Sequence, residues 1–309
     1  RFLHNEFNVL KKIKDIQLFT KNQTGVLYMV ASVMCFAIMD ICIKWLNYYP
    51  FGEVFFARFF FGLIPIFLII PKDKWLNFYK TTRPGLHAFR AICGSIAFLC
   101  IFFGLRHLPL ADVVSLTFGG PIFVTIASII FLSEKVGIKR WSAVFLGFIG
   151  MILIVQPAFT ELNYYYLSPV LFCIFFSGVA ISVRALSKTE PNYRIAFYFT
   201  ALCTVIGLCT LPFGWVMPDS KDLFLFIIMG LCGSVANLLL TQSYRLAEAS
   251  LVTPIKYLSL VYAIIFGFII WGEVPKPLML AGALLVILSS LIIFIREKKL
   301  KKEIINPRS

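Results

Sequence analysis

The sequence predicts an all-α polytopic membrane protein: ten transmembrane helices forming two inverted five-helix repeats, with both termini cytoplasmic. Three observations carry that expectation. The 309-residue chain is 60% hydrophobic and 14% charged, with a mean hydropathy of +0.87, whereas soluble domains are about 45–50% apolar and about 25% charged. Apolar runs of the length needed to cross a bilayer, about 20 residues, recur along the whole chain. The chain also matches itself at an offset of 139 residues.

The ten runs are 24–47, 51–70, 85–104, 110–132, 140–156, 166–186, 194–216, 223–244, 249–271 and 277–295. Turn chemistry or charge separates them: Tyr49-Pro50, Pro71-Lys72-Asp73-Lys74, His107-Leu108-Pro109, Ser133-Glu134-Lys135, Glu190-Pro191 and Pro218-Asp219. Placing both termini in the cytoplasm, and counting the span-edge residues Arg140, Arg184 and Arg194 with that side, puts 22 of the 29 Lys and Arg residues there and three outside, with four deeper inside spans. That bias follows the positive-inside rule. It also accounts for the net charge of +14 without a nucleic-acid partner, because the cations lie between apolar runs, against anionic lipid. Residues 1–20 lack the compact core and cleavage site of a signal peptide. Their apolar positions recur at helical spacing among lysines, which predicts an amphipathic helix on the membrane surface.

In the repeat, Cys93-Gly94-Ser95 returns as Cys232-Gly233-Ser234, Arg106 as Arg245 and Glu134 as Glu273. Polar residues are scarce in these runs, so their coincidence weighs more than that of Leu or Ile. Five spans repeated as five must take opposite orientations, the arrangement of alternating-access carriers with a midplane site. The chain therefore divides into an amphipathic segment (1–23), repeats over 24–156 and 166–295, and a basic cytoplasmic tail (296–309).

Further residues carry a family likeness. Asp40 and Lys44 stand in span 1, and Glu53, Phe56, Arg58 and Phe59 at the start of span 2. Arg90-Ala91 and Gly94 lie in span 3, and Leu108-Pro109-Leu110-Ala111-Asp112 leads to Pro121. Ala249-Ser250, Pro254 and Tyr257 open span 9, and Gly272-Glu273 closes it. Over about residues 24–295 the chain resembles the drug/metabolite transporter superfamily, specifically its EamA-type members. The resemblance implies ten helices, a central cavity formed by both halves and no ATPase domain; no GxxxxGK[ST] loop is present. Its first-half pattern is most similar to carriers of S-adenosylmethionine, with similar relatives moving amino acids or riboflavin.

Charges at mid-bilayer cost at least about 2.5–3.5 kcal/mol each, so each needs a partner or a purpose. Asp40 and Arg58 lie seven residues from the outer ends of adjoining spans and reach similar depth, which predicts an ion pair that substrate can break. Lys44 pairs locally, snorkels or lines the entrance. Arg90 snorkels or faces the cavity. Lys256 lies about two turns inside span 9, and its repeat equivalent is Thr117. There Gly119-Gly120-Pro121 bends span 4 and frees the Thr117 carbonyl. Asn237, Thr241 and Gln242 make a polar face on span 8 that bonds helices or ligand, and Tyr257 offers a ring. Glu134 and Glu273 read as structural, and Gly147 and Gly150 as close-packing positions.

The deeper charges Asp40, Lys44, Arg58, Arg90 and Lys256 sum to +3 and favour a carboxylate. The expected function is an inner-membrane secondary transporter of a small polar organic metabolite carrying a carboxylate, such as an amino acid. The substrate-binding set is Lys256, Asp40, Arg58, Tyr257, Thr117, Arg90, Asn237 and Gln242. S-adenosylmethionine or a nucleoside-like cofactor is the alternative cargo. Its sulfonium sits awkwardly with the charge sum, although Asp40 and aromatic rings can hold it. Coupling to protons through Asp40 or exchange against a counter-solute are both open. No cofactor, disulfide or metal site is expected: the eight cysteines lie inside apolar runs without CxxC spacing, and the three histidines are scattered. An intramembrane enzyme lacks its paired Asp, Ser-His or HExxH set, and a channel lacks a continuous polar lining.

Overall fold

The computed structural model describes residues 21–132, 138–155, 163–187, 189–246 and 253–305, which are helical and contain no strand. The helices are α1 (Lys21–Trp45), α2 (Phe51–Phe60), α3 (Leu63–Ile69), α4 (Pro84–His107), α5 (Leu110–Thr117), α6 (Gly120–Leu132), α7 (Ile138–Val155), α8 (Leu167–Leu186), α9 (Asn192–Leu208), α10 (Ser220–Leu246), α11 (Leu258–Trp271) and α12 (Pro277–Ile305). Six stretches are long and apolar enough to cross a bilayer: Gln23–Trp45, Phe51–Ile69, Pro84–His107, Leu110–Ala127, Tyr164–Val183 and Ser220–Tyr244. Shorter apolar helices occupy Trp141–Val155, Ile255–Trp271 and Pro277–Ile292. The protein is thus a polytopic helical membrane protein. The expected surface helix over 1–20, and Glu134, lie outside the described residues. The last helix continues into the basic segment as far as Ile305.

Proline places the helix ends. Pro84 stands at the first position of α4, while Pro50, Pro109 and Pro191 precede α2, α5 and α9. A ring with fixed φ and no N–H suits these sites, where the amide has no intrahelical acceptor. The most extensive contacts join α1 with α10, α7 with α12, α4 with α8, α2 with α9, α6 with α8, α4 with α9, α2 with α10, α5 with α11 and α1 with α11. Exchanging α1, α2–α3, α4, α5–α6 and α7 for α8, α9, α10, α11 and α12 in order maps this set of pairings onto itself.

Interior glycines set the tightest crossing. A Cβ on Gly150 would lie 2.8 Å from the Gly282 carbonyl oxygen, and one on Gly282 2.6 Å from that of Gly150. Ser289 of α12 donates to the Ala143 carbonyl at 2.6 Å beside them. Gly147 faces Ile122 and Ser289, so both glycines serve packing.

Two long stretches are broken. Between α5 and α6 the break falls at Phe118-Gly119, just before Pro121, where the sequence predicts a bend. The freed carbonyls are not left for a ligand: Cys173 of α8 donates to Leu116 O at 3.3 Å and Thr117 O at 3.8 Å, and Ser290 of α12 donates to Phe118 O at 2.9 Å. The break between α2 and α3 is absent from the sequence reading, although Pro65 is its cause. Pro65 cannot donate to the Phe61 carbonyl one turn earlier, and Ser234 of α10 donates to Gly62 O at 2.6 Å.

Candidate functional site

Two arginines of the bundle rest on one aromatic cluster. Arg58 projects from α2 and is 2% exposed. Its Nε donates to the thioether of Met39 at 2.9 Å, a weak acceptor, and its guanidinium carbon lies 5.1 Å from the Phe59 ring centroid and 5.9 Å from that of Phe98. Arg90 projects from α4 with its guanidinium carbon 3.9 Å from the Phe199 centroid. The Nε and Nη1 of Arg90 are buried with no acceptor among the described residues. Phe59, Phe98 and Phe199 pack mutually, with centroids 5.4–5.6 Å apart, so a three-ring platform carries both cations.

Ser95 of α4 lies 3.1 Å from the Cys203 sulfur of α9. Gly94 and Gly233 make room: a Cβ at 94 would lie 2.7 Å from Arg90 Nη1, and one at 233 would collide with the Arg58 guanidinium. Asp40 is within electrostatic reach of Arg58. Yet the expected Asp40–Arg58 ion pair is not made, since no nitrogen–oxygen contact within 4 Å joins them. Arg58 instead turns along α1 to Met39, one residue away, where the rings offset the cost of burial.

The remaining expected residues lie elsewhere: Thr117, Lys256 and Tyr257 at the ends of α5 and α11, and Asn237 and Gln242 on α10. Thr117 ends α5 and gives its hydroxyl to Val114 O at 2.7 Å. Its repeat equivalent Lys256 lies in a 3₁₀ segment, Thr253–Tyr257, that leads into α11. Thr117 thus precedes a break between two α-helices, while Lys256 lies in a 3₁₀ turn that runs directly into α11. Lys256 is half-buried, and its side chain has no hydrogen bond or ion pair among the described residues. Tyr257 packs edge-on against Phe118, 5.0 Å between centroids, with its hydroxyl 3.5 Å from Ile287 O, so those rings join the two positions. Asn237 bonds its own helix at Gly233 O, 3.0 Å, and is exposed; Gln242 is half-buried. Among the described residues, no hydrogen bond, ion pair or ring contact joins this group to the arginines.

Each end of the bundle is tied by bonds between the halves. At one end Lys44 is buried, forms an ion pair with Glu273, donates to Leu108 O at 2.9 Å and sits 5.0 Å from the Trp271 centroid. The other Glu273 oxygen accepts from Leu110 N at 2.9 Å, at the first turn of α5. Gly272 closes α11 with φ +66°, a left-handed turn that suits glycine and sends Glu273 back across the bundle. Asp222 accepts from Tyr48 and Tyr49, each at 2.8 Å, Glu53 from Val216 N at 3.0 Å, and Asp112 from Tyr166 at 2.5 Å. An open cleft of about 380 Å³, lined by Asn47, Phe51, Phe103, Arg106 and His107, lies at this end and contains none of the expected site residues.

The opposite end joins the loop before α4 to that before α9. Glu190 accepts from Thr81 at 2.6 Å and Arg194 at 2.5 Å, and Arg194 also donates to Phe78 O at 2.8 Å. Burial would push the Glu190 carboxyl up, but the hydrogen bonds from Thr81 and Arg194 prevail and hold it below the ordinary range. His87, buried under Tyr198, has its Nε2 3.9 Å from Glu190.

Sequence reading missed Met39, Phe98 and Phe199 as neighbours of the arginines. The recurring Cys-Gly-Ser triplet is the signal that could have found the place, since Gly94 and Gly233 each border one guanidinium.

The EamA-like transporter family matches residues 23–156 and again residues 163–295. The pseudopaline exporter CntI of Pseudomonas aeruginosa is 26% identical over 270 residues, covering 86% of this chain and 94% of that protein. The S-adenosylmethionine uptake transporter of Rickettsia conorii is 28% identical over 278 residues, covering 89% and 94%. The riboflavin transporter of Rhizobium johnstonii is 28% identical over 283 residues, covering 90% and 93%. A solved crystal structure superposes with a TM-score of 0.61 at 15% identity, covering 87% of this chain and 96% of that one, a likeness of fold alone.

Proposed function

The chain belongs to the EamA-like transporter family, part of the drug/metabolite transporter superfamily, and from that membership we propose a secondary carrier that moves a small polar organic metabolite across the inner membrane by alternating access. The protein is a transporter and not an enzyme. Its two halves, 24–156 and 166–295, form five spans each in opposite orientation, ten in all, and both ends of the chain face the cytoplasm. The self-consistent exchange of helix pairings supports this reading. Carriers built from inverted repeats hold substrate near the midplane between the repeats, and this reading puts the site there.

The substrate carries a carboxylate, as an amino acid or a related metabolite does. The observation that supports this is a set of cations without an acidic partner: Arg58 donates to a thioether, Arg90 Nε and Nη1 have no acceptor, and Lys256 makes no ion pair among the described residues. Lys256, Arg58 and Arg90 attract the anion, while Asp40 accepts a substrate ammonium or a proton. Thr117, Tyr257, Asn237 and Gln242 complete the contacts as the halves rock. The relatives named for S-adenosylmethionine uptake favour a second reading, in which Asp40 and the rings hold a sulfonium.

Reconstitution in liposomes tests the carrier. Vesicles preloaded with unlabelled amino acids, organic acids or S-adenosylmethionine should accumulate the labelled solute transiently by counterflow, with a saturating rate. Uptake that neither saturates nor shows counterflow refutes the carrier reading. Counterflow with S-adenosylmethionine alone replaces the first cargo by the second.

A further inference from the structure

We infer that residues 71–83 form a face that docks on an anionic phospholipid leaflet and, so docked, steadies the start of α9. The inference goes beyond the transport reading. It concerns neither the cargo nor its site, and it holds whichever way the chain crosses the bilayer.

The segment is folded onto the bundle. Lys72–Lys74 is a 3₁₀ turn, and amide bonds from Asn77 to Lys74 O at 3.0 Å and from Lys80 to Asn77 O at 3.1 Å extend it. Phe78 packs edge-on against Phe67 of α3 and Phe197 of α9, with centroids 6.0 and 4.8 Å away. Trp75 stacks on Phe67 at 6.0 Å. These rings fasten the segment to the end of α3, where Leu68 and Ile69 are exposed, as side chains facing lipid are. A positive-inside bias needs only loose cations; here packing fixes the backbone that bears them.

What the fold leaves uncovered has two chemistries. Leu76 is 85% exposed, and Trp75 and Tyr79 are about half exposed. Among them stand Lys72, Lys74, Lys80 and Arg83, all exposed, with Asp73 as the one acid of the segment. None of these four cations forms an ion pair among the described residues. Apolar exposure alone means little in a bundle bordered by lipid. Apolar side chains mixed with unpaired cations at the end of a span match the headgroup region, where the former enter the acyl boundary and the latter meet phosphate. Trp and Tyr favour that same depth. A free phosphate would engage the cations and leave Leu76 and Trp75 in water, so the leaflet is the occupant.

The link to α9 is made through the segment's backbone. Arg194 donates to Phe78 O at 2.8 Å and Tyr198 donates to Tyr79 O. Thr81 donates to Glu190 at 2.6 Å, just before α9. Holding residues 71–83 among the headgroups therefore restrains 190–198, which belong to the other half of the chain.

The test places the full chain in nanodiscs of phosphatidylcholine alone, or of phosphatidylcholine and phosphatidylglycerol in equal amounts, and follows hydrogen exchange by mass spectrometry. Phosphatidylglycerol should slow exchange at 71–83 by about fivefold or more, the worth of one cation at an anionic surface, and should slow it at 190–198 as well. The triple variant Lys72→Gln, Lys74→Gln, Lys80→Gln should lose both effects while keeping the wild-type unfolding midpoint in detergent, since all three side chains are exposed. Neutralising Lys298, Lys299, Lys301 and Lys302 instead should leave both effects in place, which separates this face from a general attraction of the basic chain. Soluble glycerol phosphate added to phosphatidylcholine nanodiscs should not act. Equal exchange at 71–83 in the two lipids, a triple variant that responds like the wild type, loss of the response in the Lys298–Lys302 variant, or its reproduction by glycerol phosphate would each overturn the docking face. Slowing at 71–83 with none at 190–198 would overturn the link to α9.

Discussion

Glu273→Gln should open one end of the bundle and close the other. In the folded protein Glu273 holds Lys44 of α1 by an ion pair and Leu110 N of α5 by a 2.9 Å hydrogen bond. The amide variant keeps a carbonyl oxygen for Leu110 but loses the charge facing Lys44. Lys44 retains Leu108 O at 2.9 Å. One charge-assisted hydrogen bond is therefore lost, a contribution of about 1.5–3 kcal/mol. At about 1.4 kcal/mol per tenfold, the open population at this end rises about 10- to 150-fold. Hydrogen exchange by mass spectrometry, with the protein in nanodiscs, reads this directly. Peptides covering 44–53 and 110–118 should exchange faster. Peptides covering 77–87 and 190–198, at the opposite end, should exchange more slowly, because rocking about a central site closes one end as it opens the other. Faster exchange at both ends would refute the reasoning: the pair would then hold the fold together without gating it. Unchanged exchange at 44–53 and 110–118 would equally refute it.

Gly150→Ala should lower the unfolding midpoint, by about 1–3 kcal/mol in stability, since the new methyl meets the Gly282 carbonyl, a backbone atom that cannot turn aside; an unchanged midpoint in detergent would show that α7 and α12 can separate freely. Lys256→Ala should abolish binding of an anionic substrate and leave the protein folded, measured by ligand-induced thermal shift; unchanged affinity removes Lys256 from the site. Glu190 should make stability fall with acid. Its folded carboxyl titrates below the ordinary value, so its contribution is complete above the unfolded value of about 4.3 and disappears as pH drops through the folded one. Midpoints of the wild type and Glu190→Gln should converge below that range, and a constant gap down to pH 3 contradicts the assignment.

Much of the fold was legible because lipid imposes strict rules on a chain. A segment in hydrocarbon must satisfy its backbone internally, so apolar length announces a helix, and Lys and Arg between the runs suggest its direction. The bend at Gly119-Gly120-Pro121 and the packing roles of Gly147 and Gly150 follow from local chemistry in the same way. Pro65 carries the same signal as Pro121, and its break went unread because it stands without neighbouring glycines. The site was legible only in part. Asp40 and Arg58 share a depth, yet depth does not fix which way a side chain turns, and Arg58 turned to Met39 and the rings. Lys44 was read as pairing nearby or facing the entrance; its partner Glu273 lies 229 positions away in the chain.

The sequence by itself determined that this protein lives in a bilayer, belongs among the EamA-like transporters and repeats within itself, because composition, hydrophobic run length and recurring residues are properties of the chain. Only the tertiary structure decided what surrounds the buried charges. Arg58 and Arg90 stand 32 positions apart on different helices, and Phe199 of α9, which carries Arg90, packs against the Phe59 and Phe98 rings beside Arg58. No periodicity encodes that arrangement, since it depends on how α2, α4 and α9 pack around one another.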